Sequence, residues 1–158
     1  MSRILVAGVG NVLRGDDGFG PAVIERLGEL PPGAEAVETG IGGVALLQEL
    51  LAGCSGLVVV DAVDRGAPAG TVFELRPEVA EAVHVADVHL ANPDRVLSMA
   101  RTMGALPARV RIVGCQPGEV DELGGRLSPA VAAAVEPAVA AVRRIVGIWL
   151  GERAHAEL

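Results

Sequence analysis

The chain has 158 residues, 51% of them hydrophobic, and a formal net charge of −7 at pH 7. This is enough apolar material for one domain with a real core and excludes the disordered class. All 13 basic residues are Arg, none in a run longer than Arg143-Arg144, and aromatics are 2%, which excludes a basic track or stacking platform for nucleic acid.

A short apolar run, Ile4-Leu5-Val6-Ala7, reads as a strand over residues 3–8. It opens into Gly8-Val9-Gly10-Asn11-Val12-Leu13-Arg14-Gly15-Asp16-Asp17-Gly18-Phe19-Gly20. Pro21 then marks a helix start, with Val23, Ile24, Leu27 and Leu30 on one face and Pro31-Pro32-Gly33 as its stop. A second strand is expected over residues 34–39, followed by Gly40-Ile41-Gly42-Gly43 and a helix from Val44 to about Ala52. Leu57-Val58-Val59-Val60 is the strongest strand signal and runs directly into Asp61. The turn-rich segment 64–70 is too short for a helical crossover, so residues 71–76 should return antiparallel to their predecessor.

Residues 77–91 read as irregular and hold His84 and His89. Asn92 and Pro93 start the next helix, with Val96, Leu97, Ala100 and Met103 inward; residues 109–115 form the last strand. Ser128 and Pro129 open a long terminal helix whose stripe runs from Val131 to Trp149; Pro137 inside it should kink or split it. The expected fold is α/β: a three-layer αβα unit with a mostly parallel, twisted five-stranded sheet, one antiparallel strand and helices on both faces. Residues 1–151 make the domain, and 152–158 read as a flexible tail. No apolar run reaches the roughly 18 residues of a membrane span, so no membrane partner is expected. Cys54 and Cys115 have no metal-type spacing and read as free thiols in a reducing cytoplasm.

In an open α/β sheet the site lies outside the carboxyl ends of the strands. Three of the loops leaving such ends carry acids: Asp16 and Asp17, Glu38, and Asp61. Two adjacent carboxylates in the first loop repel a phosphate and welcome a cation or a polarised water. One of the pair can simply complement the dipole of the following helix, and Asp61 can cap its own loop. Two carboxylates and one imidazole, from His84 or His89, would make an open three-ligand site for a divalent transition metal.

The first loop, together with Leu57-Val58-Val59-Val60-Asp61-Ala62, Leu127-Ser128-Pro129 and Val135-Glu136-Pro137-Ala138, resembles the hydrogenase maturation proteases over nearly the whole chain. These endopeptidases trim the C-terminal extension from the large subunit of nickel–iron hydrogenases. The resemblance implies a cytoplasmic, monomeric hydrolase whose partner is that precursor, and whose nickel arrives with the substrate rather than residing in the free enzyme. It implies Asp17, Asp61 and His89 as the metal-contacting trio, with His89 preferred to His84 by the spacing to Val96-Leu97-Ser98. Asp17 and Asp61, with Glu38 in the second glycine loop, are the implied catalytic acids. The family's Asp-x-Gly-Thr reads here Glu38-Thr39-Gly40-Ile41. Water activated by a carboxylate and a carbonyl polarised by the metal both remain open as cleavage routes. The competing readings are a nucleotide-binding module, with Glu38 holding a ribose, and a non-catalytic nickel or precursor chaperone.

Overall fold

The computed structural model describes residues 2–41, 43–77, 93–118 and 125–156. In chain order the elements are β1 (Ile4–Val9), α1 (Phe19–Leu27), β2 (Ala34–Gly40), α2 (Val44–Leu51), β3 (Gly56–Ala62), β4 (Val72–Leu75), α3 (Pro93–Thr102), β5 (Arg109–Cys115) and α4 (Pro129–Ala156). The strands form one sheet in the order β2-β1-β3-β5-β4, with only β4 antiparallel to its neighbour. This is the expected α/β architecture.

The continuous apolar runs of β1 and β3 exist because both faces of the sheet are covered. Ile4, Val6, Val58 and Val60 pack beneath α1 and α4 with Phe19, Val23, Val142 and Trp149. The alternate residues Leu5, Ala7, Leu57 and Val59 pack against Leu46 and Leu50 of α2 and Val96, Leu97 and Ala100 of α3. The chain leaves β1 toward β2 on one side and crosses back past β1 to β3 on the other. The strand order therefore reverses between β1 and β3, and their carboxyl ends flank a crevice.

Five local expectations come out differently. Met103, expected inward, is exposed just past the end of α3. α1 begins at Phe19, after a 3₁₀ turn over Gly15–Gly18, so Pro21 falls in the first helical turn, where its missing N–H is still no loss. β4 runs opposite to β3 but pairs with β5, which inserts between them. α4 is a single helix through Pro137, neither interrupted nor divided. It also continues through residues 152–156, where a tail was expected, with Arg109 paired to Glu152 at 2.6 Å. Asn92, His84 and His89 lie outside the described residues. Among the described residues, no helix is long and apolar enough to cross a membrane.

Candidate active site

The first loop is folded on itself by its own amides. Gly10 N donates to Gly40 O at 3.1 Å, tying it to the loop after β2. Asn11 N donates to Asp17 Oδ2 at 2.9 Å, Leu13 N to Asn11 Oδ1 at 2.9 Å, Arg14 N to Asn11 O, and Asp17 N to Arg14 O. A phosphate would meet engaged amides and two carboxylates here, which removes the physical basis for a nucleotide cradle. Gly10 has φ +145°, and a Cβ on it would lie 1.9 Å from Asp17 O, so only glycine lets the loop close over the acid.

Gly20 sets where this loop sits. A Cβ there would come within 2.3 Å of Val9 O and 2.5 Å of Val60 O, so α1 begins directly over the ends of β1 and β3. The 3₁₀ turn carrying Asp16 and Asp17 packs against β3, the strand that carries Asp61.

The two neighbouring aspartates have different surroundings. Asp16 is fully buried and, among the described residues, accepts hydrogen bonds from Gly118 N to Oδ2 at 2.8 Å, Ser128 Oγ to Oδ2 at 2.8 Å, and Ser128 N to Oδ1 at 2.6 Å. Asp17 is half-buried, and among the described residues its Oδ1 accepts no hydrogen bond. Asp61 is half-buried in the last turn of pleat of β3, opposite Gly114 of β5. Glu38 is exposed; it shares a sheet level with Gly8 and Val60 but sits two strands from β3, roughly 10 Å between strand axes. His89 lies outside the described residues, among which no group of three or more His, Cys, Asp or Glu side chains is close enough to hold a metal.

Two polar groups organise the surroundings, and only one of them, Asp16, was singled out from the sequence. Gln116, 6% exposed, accepts Arg65 N at 2.7 Å and Ala67 N at 3.2 Å on Oε1, and donates from Nε2 to Asp64 Oδ1 at 2.9 Å. The Gln116 amide and the Gly66 N–H hold the Asp64 carboxyl below its usual range. Asp16, one of an acidic pair left open from sequence between a site acid and a dipole partner, is a clasp. The Ser128-Pro129 cap was a visible sign of one half of it: Ser128 O accepts Ala132 N at 2.8 Å as the first helical bond, while its hydroxyl turns to Asp16. Gln116 carried no such sign. Burial, and then the nearby Asp16 carboxylate, push the Cys115 thiol up to about 11, so it is no nucleophile at neutral pH.

A mostly parallel open sheet, with acids at the strand ends that flank its switch point, defines an α/β scaffold of the kind that carries a site at that crevice. The family model described as hydrogenase maturation protease (HycI) matches residues 21–145, beginning just after the first loop. The chain is 37% identical over 153 residues to the hydrogenase expression/formation protein HupD of Rhodobacter capsulatus, covering 93% of this chain and 72% of that one. It is 35% identical over 144 residues to the hydrogenase 2 maturation protease of Escherichia coli, covering 87% and 86%. Its fold superposes on the hydrogenase maturating endopeptidase HybD from E. coli with a TM-score of 0.74 at 33% identity, covering 89% of each chain. The [NiFe] hydrogenase maturation protease HycI from Thermococcus kodakarensis matches at 0.71 and 26%, covering 92% and 93%. The chain belongs to the hydrogenase maturation protease family and is a hydrolase.

Proposed function

We propose that the chain is a nickel-dependent endopeptidase. It removes the C-terminal extension of a nickel–iron hydrogenase large-subunit precursor once nickel has been inserted. It acts in the cytoplasm as a monomer, and the nickel belongs to the substrate. What supports this reading is the seating of the Asp17 turn on β3 at the switch crevice, where one carboxylate comes from the loop after β1 and the other from the end of the adjacent β3.

Asp17 Oδ2 is held by Asn11 N, which leaves Oδ1 to face a metal or a water. Asp17, Asp61 and His89 would offer two oxygens and a nitrogen to a nickel whose remaining ligands come from the precursor, so that only a loaded substrate is gripped. A carboxylate of the pair then takes the proton from the water that attacks the scissile carbonyl, and the leaving amine is protonated as the C–N bond breaks.

The test is intact-mass spectrometry of a large subunit co-expressed with each variant. The wild type yields the shortened subunit. Asp17→Asn and Asp61→Asn yield the unprocessed one, with both variants folded. Glu38→Gln, exposed and a strand further out, reduces processing less than either. Full processing by both Asp variants would reject the site.

A further inference from the structure

Between the loop after β1 and the loop after β3 runs a chain of part-buried polar contacts that no step of the cleavage uses. At one end, the Gln116 side chain gathers Asp64, Arg65 and Ala67 of the loop after β3. Its backbone is fixed as well: Gln116 N donates to Thr71 O at 2.8 Å and Gly70 N to Gln116 O at 2.9 Å. Two residues on, Gly118 N donates to Asp16 Oδ2, and Asp16 is the residue before Asp17 in one tight 3₁₀ turn. The run from Gln116 to Gly118 thus spans the gap between the loops.

We infer that Asp16 and Gln116 are positioning residues that together set the Asp17 turn against the loop after β3. A fully buried carboxylate is a costly way to fill space, and an apolar side chain would fill it without constraint. What the carboxylate adds is direction. Donors from Gly118 and Ser128 engage both oxygens of Asp16 and hence hold the turn that presents Asp17. The inference rests on Asp17 and Asp61 being the working acids.

The test compares the wild type with Asp16→Asn and Gln116→Leu, the latter keeping the volume without the hydrogen bonds. Cleavage of nickel-loaded precursor is measured alongside amide hydrogen exchange of the free protein. Each variant should lower kcat by about 100-fold, the scale of a misplaced catalytic group, with KM within about threefold. In both, the Asn11 amide, which reports the bond to Asp17 Oδ2, should exchange at least about tenfold faster, while Val6 in mid-β1 keeps its protection. The response to Gln116→Leu is the sharper one, because among the described residues no hydrogen bond of the Gln116 side chain reaches the first loop. Unchanged Asn11 exchange in both variants, or a rise in KM at constant kcat, overturns the inference. So does a loss of activity that merely follows the unfolded fraction. If Asp17→Asn and Asp61→Asn still cleave, the site reading fails, and the Asn11 exchange still decides whether the bridge exists.

Discussion

Asp16 and Asp17 carry the same carboxylate one residue apart, and environment alone divides their work. Asp16 accepts donors from Gly118 and Ser128 and is sealed from water; Asp17 is half-buried and, among the described residues, only its Oδ2 accepts a hydrogen bond. From sequence, that adjacent residues seldom point into one site was legible, but which of them turns inward depends on segments more than 100 positions away. Cys115 shows the same dependence. Its buried thiol is raised to about 11, and the unfolded chain ionises it near 9.0. Below pH 9 both states hold the proton and stability is complete; as pH climbs from 9 toward 11 the unfolded state loses it first, so stability falls. The chain has no Tyr and no Lys, which leaves the two cysteines as the side chains titrating there. Urea midpoints measured from pH 8 to 11 should decline in the wild type and decline less in Cys115→Ala. Equal slopes would contradict the assignment.

At the level of single elements, apolar periodicity fixed what it could. β1 and β3 are continuous apolar runs because helices cover both faces, and α4 starts at the Ser128-Pro129 pair, its first bond running from Ala132 N to Ser128 O while the Ser128 hydroxyl serves Asp16. Pairing partners are set by tertiary order, and so β4 lies beside β5 rather than β3. Pro137 lacks the N–H that would bond Ala133 O, yet α4 passes through it unbroken. Pro137 and Ala133 are both on the exposed side, so water can take the freed carbonyl, while Ala138 and Val142 hold the buried face. The helix therefore tolerates the proline rather than requiring it. Pro137→Ala restores one helical bond at the cost of a looser unfolded chain, and should raise stability by about 1–2 kcal/mol. Urea unfolding checks this; a destabilised variant would mean that the proline shapes the packing of α4 on α1.

At the scale of the whole molecule, the two edges of the sheet bear on how it meets copies of itself. β2 forms one edge and carries Glu35 and Glu38 exposed, with Glu35 held by Arg3 at 2.7 Å. β4 forms the other; it is four residues long, and its exposed Glu74 pairs with Arg144 of α4. A short edge and an edge bearing acids both discourage strand addition, and two β2 edges brought together would oppose like charges. The net charge of −7 adds a general repulsion between copies. The protein should accordingly sediment as a 16.1 kDa species across a wide concentration range in moderate salt. Neutralising the β2 edge with Glu35→Gln and Glu38→Gln should be the change that first allows association. A wild-type mass that doubles with concentration would show that some surface other than the sheet edges controls assembly.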